Sequence, residues 1–463
     1  MIKLKVSELA EILQTEPIFG EGNREELASL YVDGFCYDSR KIRPTDLFIP
    51  YRGENVDAHV FIPDVLETAS VTLTEDIPEA PLPGKVYLHV NNSGDAVQEI
   101  ALQIRNRYTK PVVGVTGSVG KTTTREMITH VLESGYRVFH TEGNQNSQVG
   151  VPMTLSGILD RETDCAVIEM GISMEGEMDR LSRMTKPAIA VVTNIGVSHM
   201  EYLGSQEGIR KEKLKIISRM DETGVIFLNA DDPLLYAVKD ELPVQVKTYG
   251  FREDADIRGT DMQASGDGMR FTVTMDGVSS EVSLSVQGEH NVRNALAALG
   301  VAATLGLSRE KAEASLSTFA GSRQRILHIN EMTVIDDAYN ASPDSMKAAL
   351  SVLLSREGRR VAVLGDMFEL GKNEIALHES VGEFIRKEKE TGRTLSLLVT
   401  AGPLAEKIGE AAGDAVPEIL HFADTQAVKD SLPDILKAGD AVLFKASNGM
   451  HFRTLVETLE EDK

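Results

Sequence analysis

The run Thr116-Gly117-Ser118-Val119-Gly120-Lys121-Thr122-Thr123-Thr124 concentrates residue types that together bind phosphate. Its glycines let successive backbone N–H groups wrap an anion, and a following helix adds the positive end of its dipole. A lysine then neutralises terminal phosphate charge, and a threonine hydroxyl can ligate Mg²⁺. Thr116, Gly117, Ser118, Val119, Gly120, Lys121 and Thr122 are therefore the expected nucleotide-binding residues, with Lys121 catalytic and Thr122 also a metal ligand. The loop is a variant, because Val115 stands where the usual first glycine falls. A later run, Asn229-Ala230-Asp231-Asp232, has the spacing of a guanine-reading Asn-Lys-x-Asp without its lysine, so ATP is the expected nucleotide.

Three further residues suit a metal beside that loop. Glu169 closes the apolar run Cys165-Ala166-Val167-Ile168-Glu169, which puts a carboxylate at the C-terminal edge of a buried strand, where open α/β sheets gather their ligands. His199 follows the strand-like segment 189–194 by a few residues and emerges at the same edge. Residues 207–220 read as a helix with an apolar stripe of Ile209, Ile216, Ile217 and Met220. At about 100° per residue Lys213 falls within that stripe, whereas Lys211 and Lys215 point away. Burial disfavours an ammonium, and a neutral lysine can take up CO₂ as a carbamate, which is a carboxylate-like metal ligand.

These residues need a sheet edge to position them, and the apolar pattern supplies one. Segments 111–116, 165–170, 188–194 and 225–229 alternate with helical stretches, as in a parallel sheet with crossover helices. From Met269 the period changes to strict alternation around Asp276-Gly277, a hairpin signal, and an Ala-rich helix starts near Asn291. Strands near 333–336, 360–364, 396–400 and 441–444 form a second α/β series. The fold class is α/β in three domains: a small N-terminal α/β domain over 1–108, a central phosphate-loop mononucleotide-binding parallel-sheet domain over 109–321, and a C-terminal Rossmann-like domain over 322–463. A length of 463 residues accommodates these, at roughly 100–200 residues per domain.

Composition removes other classes. With 42% apolar and 26% charged residues, the chain has the make-up of a packed globular protein. Its 48 Lys and Arg against 71 Asp and Glu leave a net charge of −23, which argues against nucleic-acid or anionic-lipid partners. Cys36 and Cys165, far apart, exclude a disulfide framework and a structural zinc site, and point to a reducing compartment. No run approaches the ~20 apolar residues of a membrane span, and residues 1–8 become acidic too early for a signal peptide, so a cytoplasmic protein is expected.

Over nearly its whole length the chain resembles the ATP-dependent Mur ligases of peptidoglycan synthesis. The resemblance rests on the phosphate loop with its missing first glycine, on Glu169, His199 and Lys213, the last fourteen positions after His199, and on Gly288-Glu289-His290-Asn291-Val292-Arg293-Asn294-Ala295. It also rests on 143–152, on Asp336-Asp337-Ala338-Tyr339-Asn340-Ala341-Ser342-Pro343, and on Gly365-Asp366-Met367-Phe368-Glu369-Leu370-Gly371. The resemblance implies ATP and Mg²⁺, with Thr122, Glu169, His199 and carbamylated Lys213 as metal ligands. Asn294 would read adenine, Arg325 would reach the phosphates from the C-terminal domain, and Asp337 would touch the nucleotide. Ser39, Arg40, Asn144 and Asn146 would hold a UDP-sugar peptide. The implied reaction joins D-alanyl-D-alanine to UDP-N-acetylmuramoyl-tripeptide through an acyl phosphate; the sequence does not fix the oligomeric state, with a monomer favoured, and no nucleic-acid or membrane partner is expected. Two alternatives stay open: another amide ligase of the superfamily (the third-residue Mur ligase or a folylpolyglutamate synthase) or a catalytically silent nucleotide-binding regulator. The chain departs from the family's usual residues at Ser147, Ala58 and 445–450.

Overall fold

A computed structural model describes residues 3–53, 56–159 and 162–461, so Met1 and Ile2 of the N-terminal segment 1–8 lie outside it. Among these residues the chain forms three main sheets, of five, nine and six strands, in sequence order. No helix is long and apolar enough to cross a membrane among the described residues.

The nine-stranded sheet positions the site. Its parallel part runs Val138–His140, Cys165–Glu169, Val112–Thr116, Ile189–Val192, Val225–Asn229, Gln245–Gly250 and Ile257–Ser265, and the antiparallel strands Gly268–Met275 and Val278–Leu284 complete it. Near-continuous Val, Ile and Ala runs are what a sheet covered on both faces requires. Val113, Val115, Val167 and Val191 point to a core shared with helices Lys121–Glu133 and Glu289–Thr304. Val112, Ile168 and Val192 pack on the other face into a core continuous with that of the N-terminal sheet. The expected hairpin forms at Asp276 and Gly277, both with positive φ (51° and 75°), the pair of values that a two-residue turn of matching twist needs.

The helix over 207–220 is shorter than its periodicity predicts. It spans Gln206–Leu214 and tightens into a single 3₁₀ turn, Lys215–Ile217. The Ser182 hydroxyl donates to the Ile216 carbonyl at 2.8 Å and so diverts an acceptor that would extend the helix. Ile209 and Ile216 are still fully buried, so the apolar stripe survives the change of pitch.

The C-terminal sheet has the order Arg325–Ile329, Met332–Asp336, Asp440–Lys445, Arg359–Gly365, Leu397–Ala401 and Ile419–Phe422, parallel except for its first strand. Separate cores cover its two faces.

Candidate functional site

Three strand ends meet at one edge of the central sheet. Val115 lies opposite Glu169 and Thr116 opposite Val192, so the phosphate loop, the Glu169 carboxylate and the segment after Val192 leave neighbouring strands together. Val115 is a fully buried strand residue, which explains the missing glycine: the turn begins only at Gly117. There φ is +149°, and an added Cβ would lie 1.8 Å from Thr193 Oγ1. Segment 193–196 braces the loop. Asn194 accepts from Ser118 N through its carbonyl (3.0 Å) and from Val119 N through Oδ1 (2.9 Å), while Thr193 Oγ1 donates to the Val119 carbonyl at 2.6 Å.

Two ammonium groups converge on this loop. Lys121 Nζ donates to the Gly117 and Ser118 carbonyls at 2.9 and 3.1 Å, and Lys213 Nζ donates to the same Gly117 carbonyl at 3.0 Å. Lys213 is 2% exposed. Burial, and then the charge of Lys121, hold its pKa well below the usual lysine range, against a smaller opposite pull from Glu212. Lys211 is exposed, and Lys215 pairs with Glu212 at 2.6 Å.

Glu169 is buried beneath the loop. Its Oε1 accepts from Thr122 Oγ1 (3.1 Å) and Asn146 Nδ2 (2.7 Å). Its Oε2 has no hydrogen-bond partner among the described residues, and Arg125 Nε, also without one, stands 3.6 Å away. His199 adopts φ +62°, and its pKa is lowered to about 4 by burial, then by Lys213 and Lys121, so its ring is neutral at physiological pH. Thus Glu169 and Lys213 each join the phosphate loop directly, whereas His199 meets Glu369 of the C-terminal domain, at 3.2 Å. Among the described residues no group of three or more His, Cys, Asp or Glu side chains gathers as a metal site. Thr122, Glu169, His199 and Lys213 could together supply a mixed donor set, in which the buried Glu169 Oε2, without a hydrogen bond and 3.6 Å from Arg125 Nε, is the anionic donor that fits a divalent ion.

A cleft of about 590 Å³ opens from the loop and is walled by the central and C-terminal domains. Asn294 lines it, but its carboxamide is already engaged: Oδ1 accepts from Thr124 Oγ1 at 3.0 Å and Nδ2 donates to Asn291 Oδ1 at 3.3 Å. Asp337 lines it as well, paired with buried Lys445 at 2.7 Å, and burial pushes its carboxyl up against the pull of that ammonium. Of the two arginines at the start of the C-terminal domain, Arg323 and not Arg325 lines the cleft. Arg325 is the first residue of a C-terminal strand and is held by Asp336 at 2.6 Å, away from the cleft lining. Arg323 lies in the cleft, donates to Thr122 Oγ1 at 3.2 Å and stacks on the Tyr339 ring. Arg325 stands directly opposite Asp336 in the antiparallel pair, so the two side chains share one face of the sheet, while 323 precedes the strand and remains free to cross.

The expected substrate residues separate. Asn146 reaches Glu169, whereas Asn144 is exposed. Ser39 and Arg40 lie in the N-terminal domain outside the cleft lining, with Arg40 largely exposed and hydrogen-bonded to Asp38 through Nε at 2.8 Å. Ser147 Oγ accepts from Gly150 N, a turn role that an asparagine can also fill, so this departure leaves the local backbone intact. At 229–232 the carboxylates are spent on structure: Asp231 accepts from Phe251 N and Arg293 Nε, and Asp232 from Ile195 N, which leaves no guanine-reading acid. Sequence reasoning missed Arg125, Thr193, Asn194 and Arg323. Asn194 ends an apolar run at the same edge as Glu169, which is the signal that could have found it.

A three-domain α/β chain with a phosphate loop, a buried carboxylate beside it and an arginine crossing from the last domain defines a nucleotide-dependent ligase class. The chain belongs to the Mur ligases. The family models "Mur ligase middle domain" and "Mur ligase, glutamate ligase domain" match residues 115–302 and 322–448. A UDP-N-acetylmuramoyl-tripeptide–D-alanyl-D-alanine ligase of Bacillus subtilis is 37% identical, with 100% of this chain and 99% of the relative covered. The structure superposes on MurF from Acinetobacter baumannii with a TM-score of 0.89, 28% identity and coverage of 100% and 99%. MurF from Thermotoga maritima in complex with ADP gives 0.81 at 27% identity, covering 92% and 97%. The alternatives are not favoured: a folylpolyglutamate synthase from Mycobacterium tuberculosis is 18% identical and shares the fold alone.

Proposed function

We propose that this chain joins D-alanyl-D-alanine to UDP-N-acetylmuramoyl-tripeptide at the expense of ATP. The observation that carries the reading is the convergence of Lys121, Thr122, Glu169 and Lys213 on one phosphate loop, in a chain that aligns end to end with ligases of that name.

An amide does not form from a carboxylate and an amine in water without activation. In the proposed reaction a tripeptide carboxylate oxygen attacks the terminal phosphorus of ATP, ADP leaves, and the amine of the dipeptide then attacks the acyl carbon. Phosphate departs with one carboxylate oxygen, and the amine nitrogen sheds its proton. Lys121 and the backbone N–H groups of 117–122 orient and neutralise the phosphates. Arg323, rather than Arg325, supplies a cation from the C-terminal domain, supported by its contact with Thr122 Oγ1. Asn294 and Asp337 flank the nucleotide, and Ser39, Arg40, Asn144 and Asn146 serve the UDP-sugar peptide. Domain limits near 108 and 321 accompany this assignment.

Thr122, Glu169, His199 and Lys213 would hold Mg²⁺, with Lys213 as its carbamate. When bound, Mg²⁺ supplies charge neutralisation to the phosphates and the carboxylate. Carbamylation fits the site electrostatically, because it converts the repulsion between buried Lys213 and Lys121 into attraction. Incubation with ATP, Mg²⁺, UDP-tripeptides ending in lysine or diaminopimelate, and a panel of D-dipeptides tests the reading. It predicts one phosphate per product and a mass gain of one D-alanyl-D-alanine residue pair; ATP hydrolysis without a peptide product would refute it.

A further inference from the structure

The C-terminal domain presents a carboxylate to His199. Glu369 Oε2 lies 3.2 Å from His199 Nδ1, a nitrogen shut off from solvent and without an aligned hydrogen bond among the described residues. Both residues adopt φ +62°, a left-handed backbone that non-glycine residues rarely take and that concentrates at functional sites.

The loop carrying Glu369 is fixed from behind. Asp366 accepts from Leu404 N and Ala405 N at 3.0 and 2.6 Å, His378 Nε2 accepts from Met367 N at 2.9 Å, and Ser447 Oγ accepts from Phe368 N at 2.8 Å. Its far side rests on the central domain: a Cβ added at Gly371 would lie 3.4 Å from Glu201 Cβ, at the start of helix Met200–Leu203, which follows His199 directly. Glu369 itself is 64% exposed, so it contributes nothing to a core, and as a mere surface pair it would be worth little.

We propose that Glu369 is a positioning residue for the magnesium site, its carboxylate accepting a hydrogen bond from Nδ1–H of His199 when the C-terminal domain closes and leaving Nε2 as the metal ligand. A carboxylate on the far nitrogen fixes the tautomer and orientation of a ligating imidazole and raises its basicity. Because the carboxylate comes from another domain, closure strengthens metal binding, and by linkage the metal favours closure to the same degree. The inference rests on the proposed reading of His199 as a metal ligand.

Mn²⁺ serves as the probe, titrated by electron paramagnetic resonance into the full chain with a non-hydrolysable ATP analogue, for wild type, Glu369→Gln, Glu369→Ala, His199→Ala and the double variant. Thermal melting of each variant verifies folding. Glu369→Ala should weaken Mn²⁺ binding by about 10–100-fold and Glu369→Gln by less, since its amide oxygen still accepts a hydrogen bond from Nδ1–H. In the His199→Ala background, Glu369→Ala should cost nothing more. Unchanged or tighter Mn²⁺ binding in Glu369→Ala, with His199→Ala weakened, overturns the positioning role and leaves the metal-ligand reading standing. Wild-type affinity in His199→Ala overturns that reading itself.

Discussion

A lysine ammonium sealed from water is costly unless an anion offsets it, and among the described residues Lys213 has only the Gly117 carbonyl as hydrogen-bond acceptor, with a second ammonium, Lys121, nearby. The proposed carbamate would resolve this conflict, and on that reading Lys213→Ala should cut kcat on the order of a hundredfold and be partly rescued by short carboxylic acids. Lys211→Ala, on the exposed face, should stay within about twofold of wild type. The two arginines separate by a kinetic and a thermal readout. Arg323→Ala should lower kcat on the order of a hundredfold without changing the melting temperature, because it removes a cation aimed at the cleft. Arg325→Ala should leave kcat near wild type but cost about 1–3 kcal/mol of stability, since Asp336 is 9% exposed and loses its charged partner. The reverse pattern would restore Arg325 to the phosphates. Helix phase made Lys213 legible in the sequence, because a period of 3.6 residues fixes which side is buried. No period separates Arg323 from Arg325: the choice depends on where a strand begins, and that boundary is set by pairing with residues 332–336.

Single elements present these residues, and the loop 366–371 shows how a buried side chain can govern one of them. His378 is fully buried and neutral, with Nδ1 donating to the Glu374 carbonyl at 2.7 Å and Nε2 accepting from Met367 N. Burial holds its pKa below the ordinary histidine value of 6.5. The native state thus resists a proton that the unfolded chain accepts, so this contribution to stability is complete above pH 6.5 and is lost as pH falls toward the lower native pKa. His378→Phe should lower stability at neutral pH by about 1–3 kcal/mol, because the Met367 N–H loses its acceptor, and should make the acid-side decline of the melting temperature shallower. An unchanged slope would show that other groups control it. The strands were legible because runs buried on both faces are apolar throughout, and the Asp276-Gly277 turn because its residues tolerate positive φ. The early end of the helix at Leu214 was not, since it depends on Ser182, a hydroxyl 34 residues away that competes for one carbonyl.

At the scale of the whole molecule, the N-terminal sheet and one face of the central sheet share a continuous apolar core, while the C-terminal domain keeps cores of its own. Much of its link to the central domain is polar and exchangeable: Glu126 accepts from Ser322 N at 3.0 Å, Arg323 reaches Thr122, Arg356 pairs with Asp267 at 2.7 Å, and Glu369 meets His199. Such contacts suit a domain that closes over its substrates and reopens. Closure across this cleft would bring the phosphate loop, the tripeptide carboxylate and the amine together, so that phosphorylation of the carboxylate precedes amide formation. Oxygen-18 in the tripeptide carboxylate reports on this order. After turnover with ATP and D-alanyl-D-alanine, mass spectrometry of the released phosphate should find one labelled oxygen for every amide formed; unlabelled phosphate alongside a full yield of amide would contradict it.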